Sequence, residues 1–302
     1  MLSKRKWQFC TPKYWPTWLG LGLLRVISSL PWPWVAGLSD ALGALIYHCY
    51  GSRRRIAQKN LQTCFPDWSE QKVSKTAKRS FQLAVQAVFW TAFGWWASPE
   101  RYKKLMSCDE SILEYHEQQG QNIVLLAPHF AGLEIGGMYL SQSRWMITMY
   151  QYAKNALMDH FVLTHRPRFG GDLFERKAPL RNLLKMIRQG KPFYYLPDQD
   201  SGRGGQFVPF FGVQAKTFDM LGKFAQMGKA VVIPCATEIL PHGQGIRIHL
   251  QEALTDYPSG DDTKDTAFMN EVIEQMIRQR PEQYLWAHKR FKTRPEGEPA
   301  FY

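Results

Sequence analysis

Several common chemistries are missing from these 302 residues. The five cysteines (Cys10, Cys49, Cys64, Cys108 and Cys235) are scattered, odd in number and form no CxxC or Cys/His cluster. Neither a disulfide framework nor a structural zinc is supported, and a reducing compartment is the simpler inference. There is no Gly-x-Ser-x-Gly nucleophile elbow, no P-loop and no GxGxxG dinucleotide turn. Gly202-Arg-Gly-Gly205 and Gly20-Leu-Gly22 fit none of these patterns. His160, His165, His242, His249 and His288 lack metal-ligand spacing and are expected to be structural or surface residues. Internal repeats, low-complexity segments and clear interdomain linkers are absent. Acidic side chains are in deficit, 26 Asp and Glu against 38 Lys and Arg. The resulting charge of +12 favours an acidic partner: nucleic acid, anionic lipid, a phosphorylated substrate or an acidic carrier protein.

The N-terminus also lacks a clean membrane span, although it comes close. Five of the eleven tryptophans fall in the first 34 residues, at Trp7, Trp15, Trp18, Trp32 and Trp34, around the apolar stretch Leu19 to Leu30. Tryptophan concentrates at membrane–water interfaces. A spanning helix wants about 20 apolar residues, whereas Arg25, Pro31, Pro33 and Asp40 interrupt this region. Lys4, Arg5, Lys6 and Lys13 lie before it and Arg53, Arg54 and Arg55 after it, so the positive-inside rule gives no orientation. No small-residue cleavage site follows, and a removed signal peptide is not expected. The reading is a membrane anchor over residues 1–50, re-entrant or lying in one leaflet. A single span, and a hydrophobic hairpin packed on the core, are the alternatives.

Residues 51–302 read as one α/β unit. Helical patterns cover 69–97, a segment opened by Ser98-Pro99, 109–119, 155–165, 179–189, 216–227 and 263–280. Strand-like runs fall at 122–127, 145–150, 192–196, 230–234 and 245–250. This alternation predicts a central mixed, largely buried sheet flanked by helices, with the helical N-terminal region packed against it.

What is present in this frame is Ala127-Pro-His129-Phe-Ala-Gly-Leu-Glu134 at the end of an apolar, β-branched run. Histidine can take a proton near neutral pH, and a carboxylate on its other ring nitrogen would fix the tautomer. Five residues rotate a helix by about 140°, so His129 and Glu134 can meet only if His129 lies in the turn before the helix. There the helix N-terminus is expected to disfavour a charge on the imidazole. Gly132, Gly136 and Gly137 suggest a junction where backbone approaches something closely. A chance surface pairing is the alternative.

Two further clusters follow. Arg166 and Arg168, with Gly170-Gly171 and then Arg176 and Lys177, suit bidentate phosphate binding or form a solvated basic loop. Leu196-Pro-Asp198-Gln-Asp200-Ser-Gly at a strand end could edge a site, hold arginines, cap a turn or, as a DxD pair, bind metal with a nucleotide sugar.

Taken in order, these segments resemble the lipid A late acyltransferases, the lauroyl/myristoyl acyltransferase family of Gram-negative inner membranes, within the lysophospholipid acyltransferase superfamily. The resemblance spans nearly the whole chain. It rests on the hydrophobic N-terminus, His129 to Glu134, Arg166-x-Arg168 with Arg176-Lys177, Asp198 to Gly202, Phe207-Val-Pro-Phe-Phe-Gly212, and Pro281-Glu-Gln-Tyr-Leu-Trp286 through Glu298. Glu134 stands where glycerolipid acyltransferases usually have aspartate, and their Glu-Gly-Thr-Arg motif is absent, which favours the lipid A branch. The resemblance implies an acyl-carrier-protein-dependent enzyme of the bacterial inner membrane, with its active site on the cytoplasmic side. It would add a secondary acyl chain to a hydroxyacyl group of a lipid A precursor of the Kdo-lipid IVA type. Its partners would be acyl carrier protein, the phosphorylated glycolipid and the membrane, with no nucleic acid, metal or cofactor. His129 would be the general base and Glu134 its orienter. Arg166, Arg168 and Arg176 would bind substrate, with Asp198 and Asp200 fixing those arginines or touching substrate. The rivals are an acyltransferase of the same superfamily acting on a lysophospholipid or another glycolipid, a metal-dependent glycosyltransferase, and a non-catalytic anionic-lipid-binding protein.

Overall fold

The computed structural model describes residues 9–302; Trp7, Lys4, Arg5 and Lys6 lie outside the described residues. The N-terminal third is helical: α1 (Trp15–Ile27), α2 (Trp32–Cys49), α3 (Gly51–Cys64), α4 (Glu70–Trp96) and α5 (Pro99–Leu105). The long helix expected over 69–97 is α4, and the Ser69 hydroxyl accepts from the Lys72 amide at its start. Ser98 caps α5 in the same way ahead of Pro99.

The remainder alternates strands and helices: β1 (Met106–Cys108), α6 (Ser111–Gln118), β2 (Asn122–Leu126), α7 (Leu133–Leu140), β3 (Ile147–Tyr150), α8 (Ala156–His165), β4 (Asp172–Glu175), α9 (Leu180–Arg188) and β5 (Phe193–Tyr195). A separate antiparallel hairpin, β6 (Gln206–Phe210) and β7 (Val213–Thr217), interrupts. Then come α10 (Leu221–Gly228), β8 (Ala230–Ile239), β9 (Ile246–Leu250) and α11 (Asp262–Gln279). The main sheet has the order β1-β9-β8-β2-β5-β3-β4, parallel throughout except where β9 runs against β8.

The mixed α/β architecture matches the sequence expectation, and the strand runs explain why. Side chains alternate faces along a strand, and here both faces are apolar. Val124, Leu126, Phe193 and Val232 meet α9, α10 and α11 on one side, through Leu183, Ile187, Phe224, Met269 and Ile273. Ile123, Leu125, Tyr194 and Ile233 meet Trp90 and Phe93 of α4 and Ile135 of α7 on the other. A sheet covered on both faces needs continuous rather than alternating apolar runs. Each such burial contributes about 1.5–3 kcal/mol relative to exposure.

Four short strands, β1, β4, β6 and β7, are not among the strand runs expected from the sequence. Strand β7 occupies the start of the helix expected at 216–227, which instead begins at Leu221.

Helices α1 and α2 bury one side and expose another that is also apolar. Trp32, Val35 and Tyr47 are buried, with Trp32 stacked 3.4 Å from Trp90 of α4. Trp15, Trp18, Leu19, Leu23 and Val26 of α1 face outward, as do Trp34, Leu38, Leu42 and Leu45 of α2. Their spacing of three and four residues places each set on one helical stripe. Among the described residues no helix is long and apolar enough to cross a membrane.

Candidate active site

Parallel pairing brings the two central loops together. Leu126 of β2 is the register partner of Tyr195 of β5, and the Ala127 amide still donates to the Tyr195 carbonyl. Each chain then continues through a proline, Pro128 or Pro197, which cannot donate to the ladder. Three residues beyond the paired positions stand His129 and Asp198. The Asp198 carboxylate accepts from the His129 backbone amide at 2.9 Å through Oδ2 and lies 2.6 Å from the imidazole Nδ1 through Oδ1. These are strand C-terminal ends in an open α/β sheet, the usual position for a ligand crevice.

Asp198 is buried, whereas the His129 side chain is 20% exposed. Burial alone would raise the Asp198 carboxyl, but the imidazole charge and the hydrogen bonds from His129 hold it below the ordinary value. Burial likewise pulls His129 down, and the adjacent carboxylate outweighs it, leaving the imidazole above its ordinary 6.5. An ionised Asp198 can only accept, so Nδ1 carries the proton and Nε2 presents a lone pair. No described side chain or backbone group occupies Nε2. The expected depression of the imidazole by the helix start is overridden by Asp198.

The turn around His129 is braced from far along the chain. The Leu285 amide donates to the His129 carbonyl, the Ala131 amide donates to the Gln283 carbonyl, and Phe130 bridges to Tyr284. The Tyr284 hydroxyl donates to the Asp198 carbonyl. This gives the Pro281–Trp286 stretch a physical task, since it holds the loop that carries His129.

Glu134 occupies the expected place in the first turn of α7, with His129 in the turn before it. It does not orient His129. Its carboxylate takes a bidentate pair of bonds, both 2.5 Å, from Nε and NH2 of Arg166. The reason is tertiary: register delivers Asp198 to the imidazole, and the 3-10 turn Arg166–Phe169 delivers a guanidinium to Glu134. Among the described residues Asp198 consequently fixes no arginine. Nor does Asp200, whose carboxylate accepts from the Gly202 amide and from the Thr293 amide and hydroxyl, pinning the C-terminal segment. The two aspartates serve separate partners and do not converge, so the DxD reading loses its geometry. Among the described residues no acidic, histidine or cysteine cluster is arranged to hold a metal.

The other basic residues diverge. Arg168 donates to the Gly94 and Ala97 carbonyls, closing the C-terminus of α4. Arg176 is exposed, with its guanidinium over the Phe218 ring, and Lys177 is also exposed. The glycines expected to admit a phosphate instead admit protein. A Cβ on Gly171, at φ +123, would lie 2.8 Å from the Met146 carbonyl oxygen. Gly136 does provide the close approach anticipated after His129, since a Cβ there would come within 2.2 Å of the Thr237 hydroxyl on β8.

His129, Glu134 and Arg166 line one cavity of about 380 Å³. Much of its wall is apolar, from Leu133, Met138, Met146, Met149, Val162 and Leu196. That volume falls within the range of small-molecule sites, about 300–1,000 Å³. A base with a free Nε2, a fixed cation and an apolar recess together suit transfer chemistry on a substrate with a long hydrocarbon part. Sequence reasoning did not single out the recess, because its residues come from three elements, α7, β3 and α8, and from loop positions beside β3 and β5.

The family model described as bacterial lipid A biosynthesis acyltransferase matches residues 2–293. The chain belongs to this family. It is 34% identical over 297 residues to the lipid A biosynthesis lauroyltransferase of Escherichia coli (strain K12), covering 96% of both chains. The lipid A biosynthesis palmitoleoyltransferase of the same organism is 31% identical over 298 residues, 98% of this chain and 97% of the relative. A lipid A biosynthesis acyltransferase of Haemophilus influenzae is 34% identical over 301 residues, 98% and 93% respectively. As a member of this acyltransferase family, the chain is an enzyme.

Proposed function

We propose that this acyltransferase moves a fatty acyl chain from acyl carrier protein to the hydroxyl of a hydroxyacyl group on a lipid A precursor of the Kdo-lipid IVA type. The observation that carries the reading is the His129 imidazole, held at Nδ1 by buried Asp198, with Nε2 free over an apolar cavity. Nε2 takes the proton of the acceptor hydroxyl as its oxygen attacks the thioester carbonyl carbon. The ester C–O bond forms, the C–S bond breaks, and the proton passes from His129 to the departing thiolate. Arg166, fixed by Glu134, polarises the thioester oxygen and meets the charge of the tetrahedral intermediate. The acyl chain lies among Met138, Met146 and Val162. No covalent acyl-enzyme is needed.

The exposed stripes of α1 and α2 support residues 1–50 as the part that lies in the interface of the inner membrane, on its cytoplasmic side, where an acyl carrier can reach the site. The chain's excess of positive charge suits both an anionic carrier and a phosphorylated lipid.

The test is purified His129→Ala protein with acyl carrier thioester and lipid A precursor. Loss of the base is expected to lower kcat by about 10²–10⁴; transfer at the wild-type rate sinks the mechanism. Lysophospholipid and lipid A precursor offered side by side decide the acceptor.

A further inference from the structure

We propose that His129 is approached by two lipid chains from opposite sides, and that the acceptor's hydroxyacyl chain lies in a groove between α4 and the Tyr284–His288 segment. This rests on the reading above and adds to it the place of the acceptor. His129 lines a second cavity besides the first, about 160 Å³, walled by Ala84 and Ala87 of α4 and by Phe130, Tyr284 and Leu285. Ser80, Ala84, Tyr284 and Leu285 also line an open trough of about 600 Å³. The outer walls of that trough include Ile46 and Tyr50 beside Val88. All three are exposed, Val88 at 51%, and Ile46 continues the outward apolar stripe of α2. A continuous apolar path therefore runs from the base to the surface that α1 and α2 leave uncovered.

Small side chains keep the path open. Ser80, Ala84 and Ala87 follow one another at four and three residues, so they share one face of α4. Arg53 stands at the mouth, with its guanidinium donating to the Ala287 carbonyl and still exposed. That places a cation where a phosphorylated headgroup would sit while its chain enters the groove.

The assignment of chains follows from how each arrives. A lipid acceptor stays in its apolar layer if it slides in laterally through a groove open along its length. A donor chain lifted from a soluble carrier needs apolar volume to itself, and of the two cavities that His129 lines the Met138–Val162 one is the larger, about 380 Å³ against about 160 Å³. The acceptor hydroxyl then meets Nε2 between the two, attacks the thioester carbonyl, gives its proton to His129, and the thiol leaves.

The experiment compares Ala84→Trp with Val162→Trp, measuring KM for the lipid A precursor, KM for the acyl carrier thioester, donor chain-length preference, and thioester hydrolysis without acceptor. Ala84 is exposed, so tryptophan fills the groove rather than the core; Ala87→Leu serves the same purpose should the first variant fold poorly. Ala84→Trp is expected to raise the acceptor KM by about tenfold or more while donor KM, chain preference and thioester hydrolysis hold. Val162→Trp is expected to shift preference to shorter donors and leave the acceptor KM in place. A donor-side change in Ala84→Trp, or unchanged KM values for both substrates, overturns the assignment. If the wild-type enzyme prefers a lysophospholipid, the acceptor named above falls, and the same contrast run with that lipid still tests the groove.

Discussion

Two carboxylate pairs, His129–Asp198 and Glu134–Arg166, bring side chains to the same cavity and differ in how they were built. His129 and Asp198 are 69 residues apart and meet because β2 and β5 run parallel in one register. Glu134 and Arg166 are 32 apart and meet because a helix start faces a 3-10 turn. In the first pair the carboxylate is buried at 1% exposure; in the second both partners are more than a fifth exposed. A carboxylate buried against the base tunes proton affinity, whereas a half-open guanidinium pair mainly fixes a position. The lesson is that the acid nearest His129 in sequence is not the acid that contacts its imidazole.

Removing Asp198 should produce the largest effect. Asp198→Ala leaves Nδ1 without an acceptor and the His129 amide unpaired, and kcat is expected to fall by about 10²–10⁴. Glu134→Gln, which keeps the shape of its side chain, is expected to cost far less, about tenfold. Steady-state rates of the two variants side by side would break the comparison if their order reversed.

The pH profile sharpens the same contrast. The proposed mechanism uses the neutral imidazole, so kcat/KM should rise with pH through the His129 value, which sits above 6.5 because of Asp198. In Asp198→Asn the carboxylate is gone while the burial that lowers His129 remains, and the acid limb should move to lower pH. Glu134→Gln should leave that limb in place. A shift of the limb in Glu134→Gln, or none in Asp198→Asn, would reverse the roles assigned to the two carboxylates.

An Arg166→Lys substitution keeps charge but loses the bidentate fork, and a double-mutant cycle with Glu134→Gln should show coupling of about 0.5–3 kcal/mol in the transition-state energy. Independent, additive effects would mean that the pair does not act as a unit. The smallest effect is expected at Arg168, which closes the end of α4. Arg168→Ala should lower stability in denaturant melts by about 0.3–1 kcal/mol and leave kcat near wild type. A loss of kcat matching that of Asp198→Ala would return Arg168 to the site.

Much of the fold was legible because its long elements are bounded by local chemistry. Ser69 and Ser98 mark helix starts, and the continuous apolar runs at 122–126 and 230–234 mark strands buried on two faces. The shorter strands were not legible. Asp172–Glu175 has one buried residue, and Val213–Thr217 gains its strand character from pairing with β6 rather than from its composition. The chemistry at His129 was visible as residue types at a strand end. Its partner was misread because Glu134 is near in sequence while Asp198 is near in space, and the arginine cluster looked uniform although each member has a different neighbour.

The sequence by itself determined the alternating α/β pattern, the basic charge, the apolar N-terminal helices and the family, since these depend on composition, periodicity and motif. Tertiary structure alone decided which carboxylate serves His129, which arginine joins the cavity, and where two apolar recesses meet the base. Those are contacts between segments 32 to more than 150 residues apart in the chain. Strand register, helix packing and the path of the C-terminal segment set them, and none of these is written in any local stretch of residues.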